Sequence, residues 1–280
     1  MTGMSISRKW KSRVFIGLCY VALGIALVPL LSILVETTAK ALPVINLEFL
    51  TALPTAFGTP GGGVANAIEG TAIIVAVASA IGIPVGVFSG VYLSEFGGGR
   101  YADLIRFLNE VLAGFPSIVI GVFVWTTVVL FLHHFAAIAG ALALAIIMIP
   151  VVTRTTEESL KLVPNSLREA SLALGVSRWR TTLSIVLSVG RNGVITGAIL
   201  AVSRIAGETA PILLTALGSS YWFSGLDQPI ATLPVTIYYY AISPFADLRQ
   251  KAWGAAFLLI LFVLGISIVV RILSRRTIES

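Results

Sequence analysis

GTAIIVAVASAIGIPVGVFSGVYL, residues Gly70–Leu93, is 24 residues long and carries no charge. As a helix it would measure roughly 36 Å, enough to cross a hydrocarbon core about 30 Å thick. It lacks the two-residue alternation of a barrel strand, so a transmembrane helix is the reading. Four more runs are equally uncharged: Val14–Val35, Val111–Leu132, Phe135–Val152 and Trp253–Val270. A sixth run, Gly193–Leu217, entered from about residue 190, is interrupted only by Arg204 and Glu208. The chain is 57% hydrophobic and 11% charged, with mean hydropathy +0.97. Soluble domains hold about 45–50% apolar and about 25% charged residues, so that class is excluded. The expectation is an all-α membrane protein: a short N-terminal segment, residues 1–13, then a single six-span domain over residues 14–280.

The net charge of +6 does not point to nucleic acid, because the basic residues sit at the ends of the apolar runs. With the N-terminus inside, fourteen Lys and Arg fall on the inner side, among them Arg8, Arg106, Arg168 and Arg276. Only Lys40, Arg249 and Lys251 fall outside. Both termini are therefore expected in the cytoplasm. The first run is too long for a cleaved signal peptide, whose apolar core is roughly 7–15 residues, so it is read as retained. The single cysteine, Cys19, permits neither an intrachain disulfide nor a cysteine metal site.

His133-His134 nearly joins the third and fourth runs and is read as a polar turn at the outer face, with no carboxylate or cysteine beside it to complete a metal site. Residues 218–251 are expected outside and are rich in aromatics, including Tyr221, Trp222, Tyr238, Tyr239 and Tyr240. Such rings suit both interfacial anchoring and a docking platform for an external partner. Thr232-Leu233-Pro234 is expected to start a short helix there.

The inner loop between the fourth and fifth runs, about residues 164–188, is the most informative segment. Ser166-Leu167-Arg168-Glu169 fits a capping box. Leu167, Ala170, Ser171 and Leu174 share one helical face, Gly175 suits a left-handed stop, and Ser177 is placed to cap a second helix. The result would be a rigid two-helix knob able to take force from a soluble partner.

Glu169-Ala170-Ser171, three residues, Gly175, nine residues, Ile185, one residue and Leu187 resembles the EAA loop of ABC-importer permeases. Ser171 stands where that pattern has a second alanine, and Ser188 where it has proline. Asn66–Thr71, Leu112–Val119, Thr153–Glu158 and Arg204–Pro211 are similar to the permeases of phosphate importers, and Pro229–Ala241 favours the PstA type of subunit. The resemblance implies a type I importer (MetI-like) fold. It implies a heterodimer with a homologous permease and two ATPase subunits docked on the face from Leu167 to Leu174. It also implies an external phosphate-binding protein and no cofactor. The chain would be a non-catalytic permease subunit of a bacterial or archaeal cell membrane, since ATP hydrolysis belongs to the ATPase partner and no Walker motif is present here.

Arg204 falls at the twelfth of the 25 residues of the sixth run. An arginine at that depth costs roughly 2.5–3.5 kcal/mol on insertion scales. Glu208, four residues on, would share its helical face, and Pro211 would free the Gly207 carbonyl beside Thr209. These five residues are the expected substrate pathway, with an internal ion pair joining two helices as the competing reading. A guanidinium grips phosphate through paired N–H groups. A carboxylate accepts the proton that phosphate keeps and sulfate lacks, and so repels sulfate. A permease for sulfate, molybdate or polyamine, or an ion-coupled secondary transporter, are the alternatives. No protease or hydrolase motif supports an intramembrane enzyme.

Overall fold

In the computed structural model residues 6–276 are described, apart from Phe57 and Pro60. Residues 1–5 of the expected inner N-terminal segment lie outside this set. The described residues form α1 (Ile6–Ala41), α2 (Leu47–Thr51), α3 (Ala65–Glu95), α4 (Arg100–Gly114), α5 (Ser117–Val124), α6 (Leu130–Leu132), α7 (Ala137–Lys161), α8 (Asn165–Ala173), α9 (Arg178–Thr181), α10 (Leu187–Ala206), α11 (Ala210–Thr215), α12 (Leu233–Ala241) and α13 (Ala246–Arg276). Two π-helical turns, Trp125–Val129 and Thr182–Val186, join α5 to α6 and α9 to α10. The protein is all-α, with five helices able to cross a membrane among the described residues and a sixth crossing if the bent α4–α6 segment counts as one.

The frame is the parallel pair α3 and α7, with Gly82, Gly86 and Gly90 meeting Met148, Val152 and Thr156 in turn. Lipid supplies no hydrophobic drive between helices, so close backbone approach must do so. Gly82, Gly86 and Gly90 recur every fourth residue on one face of α3. A Cβ on Gly86 would lie 2.6 Å from Cβ of Val152, and one on Gly90 2.6 Å from the Thr153 carbonyl oxygen. On its other side α7 receives α10 in the same way: Gly190 faces Leu160, Gly193 faces Ser159 and Gly197 faces Thr155. In α7 67% of the most apolar stretch is buried, against 0% in α1. That contrast makes α7 the centre and α1 a lipid-facing helix, which touches the rest through α13. Lys40 sits 4.4 Å above the Trp253 ring and ties those two helices together.

Two expected spans are not single helices. The third run, Val111–Leu132, bends by 104° between α4 and the segment Ser117–Leu132. Pro116 causes it: Phe115 before it is held extended at ψ 135°, since a residue preceding proline is pushed out of the helical region. Val111–Gly114 thus end α4, on the other side of the bend from Ser117–Leu132. The run Gly193–Leu217 also divides. Its crossing begins earlier, at Arg178, and ends at Ala206, and α11 restarts at Ala210.

The charged ends separate as expected from the sequence. Arg106, Lys161, Arg168 and Arg178 cluster around the ends of α3 and α7, where Arg106 bonds Glu157 at 3.1 Å and Lys161 bonds it at 2.6 Å. This is the basic end. Opposite it, the segments after α1 and α11 meet under the aromatic residues. There the Asn66 amide donates to Ser219 O at 2.7 Å, the Phe223 amide donates to Glu69 at 3.1 Å, and the Leu233 amide donates to Thr71 Oγ1 at 2.8 Å. Gly70 lets the Ala231 carbonyl sit against the backbone of α3. His133 takes a left-handed φ of 61° in the turn before α7, and the His134 ring lies 2.8 Å from the Asp227 carbonyl.

Replacing Gly86 by Leu forces the α3–α7 pair apart and should cost about 1–3 kcal/mol. Gly17→Leu, on open α1 surface, should leave stability unchanged. Thermal unfolding of the detergent-solubilised protein distinguishes the two; equal midpoints would refute the packing account.

Candidate functional site

The break after α10 lies within the membrane. Because α10 and α7 are antiparallel, with Gly197 opposite Thr155, Arg204 is level with about Met148. That is roughly 16 Å along α7 from its start at Ala137. The last turn of α10 tightens, with the amides of Gly207 and Glu208 donating to Arg204 O at 3.3 Å and Ile205 O at 3.2 Å. Pro211 then enters the first turn of α11, where a missing N–H costs nothing. Since helix ends at Ala206, Arg204 and Glu208 are not stacked as neighbours four apart. Arg204 is exposed and Glu208 half-buried. Neither joins a salt bridge or side-chain hydrogen bond among the described residues. The alternative of an internal pair between these two is therefore not what the structure contains.

The remaining pathway candidates bracket the break. Gly207 is exposed, Thr209 half-buried, and Pro211 buried against α5, where a Cβ on Gly121 would come within 2.8 Å of Pro211 Cα. While α10 lies on α7 and α13, α11 lies on α5 and α7. The break thus carries the chain across the face of α7. A separate cavity of about 840 Å³ opens at the aromatic end, lined by neutral groups such as Asn66, Ser219, Tyr239 and Tyr240. Neither Arg204 nor Glu208 lines it.

At the basic end α8 and α9 form the expected knob, with two corrections. Pro164, not Ser166, occupies the N-cap of α8, and no side chain caps it; Pro164 is extended at ψ 137° and the helix starts at Asn165, two residues early. Ser177 holds the N-cap position of α9 without a side-chain bond. Gly175 is left-handed at φ 78°. Leu167, Glu169, Ala170 and Leu174 are all exposed, Leu174 at 84%. Ser171 differs, for it is buried and shares a 2.8 Å hydrogen bond with Thr181 Oγ1. It locks α8 to α9 and does not belong to the open face.

Sequence reasoning missed the group that holds this knob. Arg168 uses all five of its donors: to both carboxylate oxygens of Glu95 at 3.0 and 2.7 Å, to Val163 O at 2.6 Å, to Leu160 O at 2.9 Å and to Asn165 Oδ1 at 3.2 Å. The bond to Glu95 raises the Arg168 guanidinium above its ordinary value. Arg178 donates to the Glu95 carbonyl and lies 5.1 Å over the Phe96 ring. The available signal was Glu95 itself, the first charge after the uncharged run of α3.

The class defined by these features is a multi-pass helical membrane component with an exposed two-helix loop at its basic end. Residues 82–279 match the family described as binding-protein-dependent transport system inner membrane component. The chain is 43% identical to "Phosphate transport system permease protein PstA" of Yersinia pestis, over 95% of this chain and 90% of that one. It is 44% identical to the protein of the same name from Haemophilus influenzae, covering 95% and 94%. Among solved structures, the MetNI methionine ABC transporter in an inward-facing conformation matches with TM-score 0.60 and 19% identity, over 76% of this chain and 94% of that chain. That likeness gives the fold, which is the MetI-like fold of ABC-importer permeases. The chain belongs to the family of binding-protein-dependent transport system inner membrane components.

In a Cys19→Ser background, Leu174→Cys should react readily with a polar maleimide, and Ser171→Cys at least about tenfold more slowly, because reaction requires an accessible thiolate. Equal rates would place Ser171 on the open face after all.

Proposed function

We propose that the chain is the permease subunit of an ATP-driven phosphate importer and forms half of its translocation path. On this reading its companions are a homologous permease, two ATPase subunits and an external phosphate-binding protein. The basic end and both termini face the cytoplasm of a bacterial or archaeal cell. No cofactor and no nucleic acid take part, and the chemistry of ATP stays in the partner subunits. The relatives at 43–44% identity carry phosphate transport in their names. The single observation that carries the assignment is a helix break at mid-depth with Arg204 at its edge and Glu208 within it, neither of them paired among the described residues.

The chemistry follows from those groups. A charge inside a bilayer is retained where it faces water or a solute, and broken backbone is tolerated where it lines a cavity. The Arg204 guanidinium donates paired N–H groups to two phosphate oxygens. Glu208 accepts the hydrogen that phosphate keeps at neutral pH, and it repels the fully ionised sulfate. Gly207 leaves room beside the ion and Thr209 offers its hydroxyl, while Pro211 fixes the restart of the helix. At the basic face Leu167, Glu169, Ala170, Leu174 and the Gly175 turn receive the ATPase. Ser171 serves that surface from behind by holding α8 to α9.

Uptake of radiolabelled phosphate into proteoliposomes bearing the assembled transporter tests this. A lost hydrogen bond to a charged group is worth about 1.5–3 kcal/mol, so Arg204→Ala should slow transport by roughly 10- to 150-fold. Glu208→Gln should slow it and weaken discrimination against sulfate. Unchanged uptake and discrimination in both variants would remove these residues from the path.

A further inference from the structure

The knob has two routes into the membrane. One is covalent, through α9 and the π-helical turn Thr182–Val186 into α10. A π turn leaves the regular bonding pattern and marks a compliant point in a helix. Gly175, at the apex between α8 and α9, has no neighbouring group within 4 Å of where its Cβ would be. The other route is non-covalent and stiffer. Arg168 on α8 grips Glu95, the last residue of α3, through a two-point fork, and also takes Leu160 O from the last turn of α7 and Val163 O just beyond it. Arg178 on α9 takes the Glu95 carbonyl, and Arg106 on α4 takes Leu93 O at 3.2 Å.

Three guanidinium groups therefore converge on the C-terminal end of α3, where unsatisfied carbonyls carry the negative end of the helix dipole. The Arg168–Glu95 pair is nearly dry, with 18% and 6% of its side chains exposed. Salt and water therefore screen it far less than a surface pair. Its two-point geometry also fixes direction, which a lysine would not.

We propose that Arg168 is a positioning residue, one that yokes the coupling knob to the α3–α7 pair so that displacement of α8 moves those two helices as one body. The proposal rests on the reading that a separate ATPase pushes on α8. Severing the yoke should leave nucleotide hydrolysis running while phosphate movement falls behind. The assembled transporter with its binding protein, in proteoliposomes, gives both rates. With Arg168→Lys, which keeps the charge and loses the fork, ATP hydrolysed per phosphate imported should rise at least about threefold. Glu95→Gln, cutting the same link from the other side, should do the same. A fall in both rates with an unchanged ratio in both variants would mean a merely structural residue and would overturn the proposal.

A second measurement needs no substrate and no nucleotide. Nitroxide labels at Leu174, the residue that caps the end of α8, and at Phe88 on α3, both exposed, report the separation of the two helices in a cysteine-free background. The distance distribution should be narrow with Arg168 present and clearly broader with Arg168→Lys or Glu95→Gln. Equally narrow distributions would refute the yoke even if the transport reading holds. A broadened distribution in a protein that imports no phosphate would retain the yoke and reject the transport reading.

Discussion

The close approach of α3 and α7 is the interaction on which the other features depend. In lipid two apolar helices gain nothing by hiding from solvent, so they stay together only if their backbones come near enough for dense packing. Gly82, Gly86 and Gly90 make that possible from one side, and the small face of α7 from Ala137 to Ala145 answers at the other end. The same device, with Gly190, Gly193 and Gly197, brings α10 to α7. Depth and register in the bundle are thereby set by glycine spacing. Arg204 comes to mid-depth because it lies seven residues beyond Gly197 on a helix already held in place.

Against that fixed frame, the irregular segments are tolerated because each is covered by protein. Backbone groups left open to hydrocarbon cost several kcal/mol each. The bend at Phe115–Pro116 begins a helix whose Gly121 rests on Pro211, just past the other interruption. The two breaks stand within about one and a half turns of each other, so the weak part of the bundle is concentrated in one place. A transport path needs such a place, since the polar backbone there is available to a hydrated ion and the surrounding glycine-packed helices are not.

Much of this was legible in the sequence, and the gaps have physical causes. The uncharged runs gave the crossings because length and lack of charge are sufficient tests in a bilayer. They did not give helix breaks, because hydropathy is blind to backbone geometry; Pro116 and the Gly207–Pro211 segment were visible, but an apolar run reads the same whether straight or bent. The four family-like motifs fall at junctions: Asn66–Thr71 under the aromatic loops, Phe115-Pro116 at the bend, Thr155 to Glu157 against α10, α3 and α4, and Arg204–Pro211 at the break. The exposed face of α8 was readable from periodicity, whereas the inward turn of Ser171 was not, because small residues suit a buried contact and an open face equally. The Arg168–Glu95 pair joins residues 73 apart in the chain, and no local pattern announces it.

These connections single out α7 as the shaft of the molecule. Near its basic end Leu160 O is held by Arg168, Thr155 meets Gly197 in the middle, and Gly140 touches Ala216 just past α11. A displacement entering at Leu160 reaches both sides of the Gly207–Thr209 break, since α10 and α11 each lie against this one helix. The two do not respond alike. α10 is tied to α7 by three glycine contacts, while α11 shares its packing with α5. Relative movement of α7 and α5 must then be absorbed between Ala206 and Ala210, where the long amide bonds of Gly207 and Glu208 to Arg204 O and Ile205 O, at 3.3 and 3.2 Å, stand in place of the regular helical ladder. On the proposed function, Arg204 stands on α10 at the edge of that joint and Glu208 within it, so the same movement that opens or closes the joint changes the distance between the two groups that would hold the ion.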